Sequence, residues 1–521
     1  MTASTSAEYD VAIVGYGPVG ALSALLLASA NLRVVILERS VEALELPRAV
    51  GLDGESVRMF QRIGYGAAIA DLLQAPRERE EIHFTNSKHE TIFAAPFIQF
   101  GSNGWRDIAF FDQPELEARL REFVSKDLRI EVRMGQEVTQ LAQDADGIDL
   151  EMASVRSAES TSSLRASWVL GCDGASSFVR GAVGIGWTSL GYDQDWLVLD
   201  VTIKPEADLP LYSMQVCDPD RLVSYICVKD PNRRWELQVL PGETREEMEK
   251  PEKIRKLLES WLPPEHYDIR RAAVYQFHAA TATSWRNGRV LLAGDAAHQT
   301  PPFMGQGLNA GFRDAANLGW KLPLIVNGDC DAAFLDSYGA ERDAHARDLV
   351  KKAVGLGKLM ETLAAKEVGR PEPYPKENAG TAGDIGIPPL RDGAFAPDQI
   401  APEGPAGRLL RQPRVRRPDG TICLLDELLG NGFAVVARKQ VDLAMSEASD
   451  AIVRRLGGKR VCLEDIEVVE GELDHTLDMH AAIVLRPDRH VFGVADADAD
   501  ADADWDLDRV IAELGRQLHL T

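Results

Sequence analysis

At 521 residues the chain exceeds one ordinary domain, and roughly two to four are expected. Its 45% hydrophobic and 26% charged residues describe a globular protein. A formal charge of −24 argues against nucleic acid and anionic membrane surfaces as partners, because phosphate needs a basic face, and leaves room only for local basic pockets.

In chain order, the first element is YDVAIVGYGPVG, residues 9–20. The apolar run Val11–Val14 predicts a buried parallel strand. Gly15, Gly17 and Gly20 then form GxGxxG, with Pro18 inside it, and the Ala-rich helix ALSALLLASA follows. A second strand, RVVILE, ends in Glu38, followed by Arg39. This βαβ unit carries an acid at the spacing a ribose needs. The expected ligand is a dinucleotide with its diphosphate at the helix N-terminus. The motif alone does not choose FAD over NAD.

Two later strands also end in carboxylates. WVLGCDGASSFVR places Asp173-Gly174 at a strand end with Arg180 beyond, and GRVLLAGDAAH does the same with Gly294-Asp295. Either aspartate alone reads equally well as a helix N-cap. Together they suggest three strand ends converging on one elongated cofactor, with Asp295 set to meet a polyol. GAVGIG at 181–186 lacks a preceding strand and an acidic partner, so a helix-end turn is expected.

Between about 184 and 285, period-two runs separated by DP, PN and PG turns predict an antiparallel sheet. Met214, Tyr225, Trp235 and Gln238 are its candidate substrate contacts, whereas His278 and His298 are expected to be structural. Residues 369–418, rich in Pro, Gly and Arg, read as a connector, and RQPRVRR within it as solvated or paired inside the molecule. Residues 419–521 read as a small α/β domain; the Ala495–Asp504 alternation reads as a solvated loop. The six cysteines (Cys172, Cys217, Cys227, Cys330, Cys423 and Cys462) form no CxxC and no zinc spacing. They point to free thiols in a reducing cytosol. Neither a signal peptide nor a membrane span is expected, and no metal site.

GYGPVG with Glu38, CDGASSFVR and GDAAHQTPPFMGQGLNAG stand in the order seen in class A, single-component FAD aromatic hydroxylases. The chain resembles that family over about residues 8–350. It looks most like the 3-(3-hydroxyphenyl)propionate hydroxylase branch, which is similar to phenol and polyketide hydroxylases. The resemblance implies a Rossmann-like FAD-binding domain from 1–75, 105–183 and 284–368. It further implies a β-sheet substrate domain from 76–104 and 184–283, and a thioredoxin-like C-terminal domain at 419–521. It implies FAD held by Gly15, Gly17, Gly20, Glu38, Arg48, Gln113, Asp173, Gly174 and Asp295. The co-substrates would be NADH or NADPH and O2, acting through a flavin hydroperoxide on a phenol, ortho to its hydroxyl.

Within GDAAHQTPPFMGQGLNAG, the resemblance places the Pro302 carbonyl beside the substrate hydroxyl. It places Gly305, Gly307, Leu308 and Asn309 against the flavin pyrimidine edge through backbone N–H groups. That predicts tolerance of side-chain changes at Asn309 and severe loss from bulk at Gly307. For the C-terminal domain a structural or dimer-forming role is expected, the latter giving a homodimer. The competing readings are a polyketide-tailoring hydroxylase and a non-hydroxylating FAD protein. WxWxIP of halogenases and FxGxxxHxxxW of Baeyer–Villiger enzymes do not occur.

Overall fold

The computed structural model describes residues 7–43, 46–374, 386–496 and 505–520. Strand Tyr9–Val14 is buried along Val11–Val14, as a strand covered on both faces must be. It pairs in parallel with Val34–Glu38 on one side and with the end of Ser157–Gly171 on the other. Ile130–Met134 and Val290–Leu292 extend the parallel set. An antiparallel meander, Gln136–Gln143 and Ile148–Ser154, joins it through Ser157–Gly171. Register decides what matters next. Val14 pairs with Gly171 and with Leu37, and Gly171 with Leu292. The carboxyl ends of these strands therefore share one edge, where open α/β sheets bind ligands. Helix Pro18–Ser29 is apolar all round and buried, and packs on helix Gly307–Val326.

A second sheet of eight strands has Tyr267–Ala282 and Trp187–Ile203 as its long antiparallel pair. Asn232–Gln238, Val223–Ile226 and Ser213–Val216 follow, and Glu81–Thr85 adds in parallel from far upstream. One face packs on helix Pro251–Leu258 and Trp261. The other faces the first sheet's ligand edge across the cavity described below.

The C-terminal part carries a four-stranded sheet ordered Lys459–Cys462, Ala434–Ala437, Ala482–Leu485, Val491–Ala495. Its first pair is parallel and the others antiparallel. Strand Arg414–Arg416, inside the expected connector, pairs with Ile422–Leu424 and Glu467–Glu470 and so joins this part. There the basic run is paired internally: Arg411 with Glu472, Arg414 with Glu470 and Arg416 with Glu467. The acidic alternation lies outside the described residues beyond Asp496. Docking of this part is ionic as well as apolar. Arg486 and Lys321, both fully buried, clasp Glu341 at 2.8 and 2.7 Å, while Trp320 packs on Phe433. All six cysteines are unpaired. No helix among the described residues is long and apolar enough to cross a membrane.

Candidate active site

The shared strand edge opens into one cavity of about 1660 Å³, larger than the roughly 300–1,000 Å³ of ordinary small-molecule sites. At its first end two of the three glycines have no room for a side chain. A Cβ on Gly15 (φ +106°) would sit 2.4 Å from the Cys172 carbonyl oxygen, and one on Gly20 only 2.2 Å from that of Gly15. A Cβ on Gly17 meets no protein atom within 4 Å, because Gly17 opens onto the cavity. Helix Pro18–Ser29 starts there without a side-chain cap, so its first N–H groups face the cavity mouth as an anion seat. Glu38 braces the turn, accepting from Tyr16 N and Ser40 N at 2.7 Å each. Arg39 lies exposed beside it on the wall.

Helix Gln113–Ser125 contributes a face that sequence reading caught only in part. Gln113 Oε1 accepts from the amides of Arg48 (3.1 Å) and Ala49 (2.6 Å), and its Nε2 donates to Glu117 (2.7 Å). Gln113 therefore holds the Arg48 loop. Glu117 and Arg121, the next two residues at helical spacing, also reach the cavity, and the Arg121 guanidinium lies 4.2 Å over the Tyr16 ring. The i, i+4, i+8 spacing in QPELEARLR was the readable signal.

Asp173 lines the cavity beside Gly174, yet its carboxylate caps helix Phe178–Ala182, accepting from Ser177 Oγ (2.5 Å) and Val179 N (3.0 Å). Arg180 lies behind the wall, stacked 4.1 Å over Trp187 and donating to the Ala296 carbonyl. Asp295 is exposed on the cavity wall. His298 is fully buried on Asp314 at 2.8 Å, and His278 bonds Asp193 across the sheet.

The loop after Asp295 ends in a helix start. Pro302 and Gly305 form a tight turn, the Pro302 carbonyl accepting from Gly305 N (2.8 Å). The helix begins at Gly307 with no side-chain cap, and its first backbone bond runs from Ala310 N to Gln306 O. The amides of Gly307, Leu308 and Asn309 thus have no partner within the helix. Gly305 and Gly307 line the cavity, and a Cβ on either would meet no protein atom within 4 Å.

Asn309 departs from the expectation of a tolerant side chain. It is fully buried and off the cavity. Its Oδ1 accepts from Asp53 N (3.1 Å) and Ser56 Oγ (2.8 Å), and its Nδ2 donates to the carbonyl of Gly305 (2.9 Å). The side chain ties the flexible-looking loop to strand Gly51–Asp53. Arg313, one turn on, does the same. It binds Glu55 (2.7 Å), Asp53 and Gln306, and those two carboxylates raise its pKa against the effect of burial.

The roof corrects three of the four substrate candidates by one residue each. Met214, Tyr225 and Trp235 are buried on the far face of the second sheet, packed around Trp261, and Tyr225 donates to the Pro210 carbonyl. Gln238 also lies off the cavity, bonded to Gln194. The cavity face holds Ser213, Gln215, Ile226, Arg234, Glu236 and Arg271 instead. Side chains alternate across a sheet, so each large apolar candidate points away from its polar neighbour. Arg234 and Arg271 share the Asp200 carboxylate, at 2.7 Å in each case.

Fold and site together define a dinucleotide-binding protein whose cradle opens into a second, sheet-roofed chamber. The cradle fits FAD: glycine faces open where protein atoms are absent, and two uncapped helix N-termini suit a diphosphate and an electron-rich ring edge. Residues 8–353 match the family model of the FAD binding domain, and residues 407–509 that of the HcaD C-terminal domain. A probable NADH-specific resorcinol 4-hydroxylase of Rhodococcus jostii is 32% identical over 508 residues, covering 93% of this chain and 92% of the relative. A 3-(3-hydroxy-phenyl)propionate/3-hydroxycinnamic acid hydroxylase of Mycolicibacterium smegmatis is 33% identical, covering 93% and 90%. The fold also matches aklavinone-11 hydroxylase, solved with FAD and aklavinone, with a TM-score of 0.81 at 22% identity, covering 99% and 100%. The chain belongs to the FAD-dependent aromatic hydroxylases.

Proposed function

We propose that the chain hydroxylates a substituted phenol beside its ring hydroxyl, using NADH or NADPH and O2. One observation carries the reading: a single cavity joins the glycine cradle to the polar roof past Pro302–Leu308. FAD, when bound, supplies the reduction of dioxygen and the oxygen transfer.

The chain's own residues bind, orient and exclude water. The N-terminus of Pro18–Ser29 faces the diphosphate, with Gly15 and Gly20 closing the turn around it. Glu38 accepts from the adenosine ribose, with Arg39 beside it. Arg48 and Asp295 hold the cofactor's middle, Asp295 accepting from the sugar chain. Asp173 shapes that wall through its helix cap, and Gly174 leaves space for the cofactor. The amides of Gly307, Leu308 and Asn309 stabilise negative charge at the ring edge, with the helix dipole behind them. The Pro302 carbonyl accepts a hydrogen bond from the substrate hydroxyl, and the roof sheet keeps water from the reacting ring. Unpaired cysteines suit work in a reducing compartment.

The test is a panel of phenols, among them resorcinol and 3-(3-hydroxyphenyl)propionate, assayed for stimulated NADH and NADPH oxidation. The product gains one oxygen by mass. Nicotinamide oxidation indifferent to every phenol would overturn the reading.

A further inference from the structure

The roof presents a polar row that the functions above leave unused. Gln215 stands opposite Ser224, Ser224 opposite Glu236, and Glu236 opposite Val198. Ser224 Oγ donates to Gln215 (2.5 Å), which settles that end of the row. Glu236 ends it differently. Only 5% exposed, it lines the cavity, and its carboxylate accepts no hydrogen bond from any described residue. Arg234 NH1, its ionic neighbour, is 3.8 Å away, outside hydrogen-bond reach.

The nearby cations are committed elsewhere. Arg234 donates to Asp200 (2.7 Å) and to the carbonyls of Arg48 (2.6 Å) and Pro47 (2.9 Å). Arg271 donates to Asp200 (2.8 Å) and to Tyr275 Oη (3.3 Å). An anionic substrate reaching this wall meets two guanidiniums balanced by two carboxylates, Asp200 and Glu236, so the group offers it no net positive charge. The Glu236 carboxylate oxygens open onto the cavity and have no donor among the described residues, so a ligand hydroxyl entering there would supply the missing hydrogen bond.

We propose that Glu236 is a specificity-determining acceptor, taking a hydrogen bond from a second ring hydroxyl of an uncharged dihydric phenol and disfavouring phenols with a carboxylate tail. This rests on the hydroxylase reading, in which Pro302 takes the first hydroxyl. Burial raises the Glu236 carboxyl above its ordinary range; Arg234 opposes this, Asp200 adds to it, and Arg271 opposes it.

The experiment compares holoenzyme with Glu236→Gln, Glu236→Ala and Glu236→Asp, using resorcinol and 3-(3-hydroxyphenyl)propionate as probes. Binding is read from perturbation of the flavin absorption spectrum, and turnover from substrate-stimulated NADH or NADPH oxidation. Wild type should bind resorcinol at least about tenfold more tightly than the arylpropionate. Glu236→Gln should weaken resorcinol binding about 10- to 100-fold, the weight of one charge-assisted hydrogen bond, and shrink the preference. Glu236→Asp should keep the discrimination against the arylpropionate. Gln and Ala variants that bind resorcinol within twofold of wild type would overturn the proposal, as would wild-type preference for the arylpropionate. Phenol-stimulated oxidation with no effect of Glu236 sinks this inference alone. Absence of any phenol response sinks the hydroxylase reading with it.

Discussion

Asn309→Ala isolates the tie between the loop and strand Gly51–Asp53. The substitution removes the acceptor of two buried donors, Asp53 N and Ser56 Oγ, and a donor to the Gly305 carbonyl. Asp53 is 5% exposed and Ser56 fully buried, so water does not replace what is lost. Each orphaned buried donor costs about 1–3 kcal/mol, giving a loss of about 2–6 kcal/mol. Unfolding entropy of about 2.1 cal/mol/K per residue makes that about 2–6 °C for cooperative melting of the whole chain. Thermal melting with and without FAD, and flavin content after gel filtration, measure both consequences. Ser56→Ala should lose less, because the Asp53 amide keeps its acceptor, and the double variant should fall short of additivity. An Asn309→Ala protein that melts within about 1 °C of wild type and retains its flavin would refute the reasoning.

Two glycines should fail in different ways. Gly307→Val puts bulk into open cavity space, so the apoprotein should melt normally yet purify without flavin; an active variant with full flavin would contradict the site. Gly15→Ala drives a Cβ into the Cys172 carbonyl at positive φ, and soluble yield or melting temperature should itself fall; a wild-type melt would count against the turn. Glu341→Gln leaves Lys321 and Arg486 buried without that carboxylate, though Asp488 remains on Arg486, and should cost about 3–5 kcal/mol at neutral pH. Burial pushes the Glu341 carboxyl up, but Arg486 and Lys321 bring it to about 2. A folded pKa below the ordinary 4.5 means that its stabilisation is complete above pH 4.5 and lost as pH falls toward 2. Denaturant melts across that range should therefore show the gap between wild type and variant closing with acid. A gap independent of pH would refute the assignment.

The sequence by itself determined the parts whose chemistry is local. GxGxxG, the apolar strand before it and Glu38 after it needed no partner to be read, because backbone sterics restrict Gly15 and Gly20 to glycine, Gly17 leaves the ligand room, and the acid follows at βαβ spacing. The family motifs likewise marked the strand ends and the Pro302–Leu308 loop. Tertiary structure alone decided which face each roof residue shows. Met214, Tyr225 and Trp235 differ from Ser213, Ile226 and Glu236 by one position, and only the apolar packing around Trp261 says which side is core. It also decided that Gln113 and Asn309 brace loops, since their partners Arg48 and Asp53 lie far away in sequence. Glu236 became visible only when its neighbours' donors proved committed to Asp200, Arg48 and Pro47. A residue's freedom to act depends on what surrounds it, and those surroundings come from distant parts of the chain.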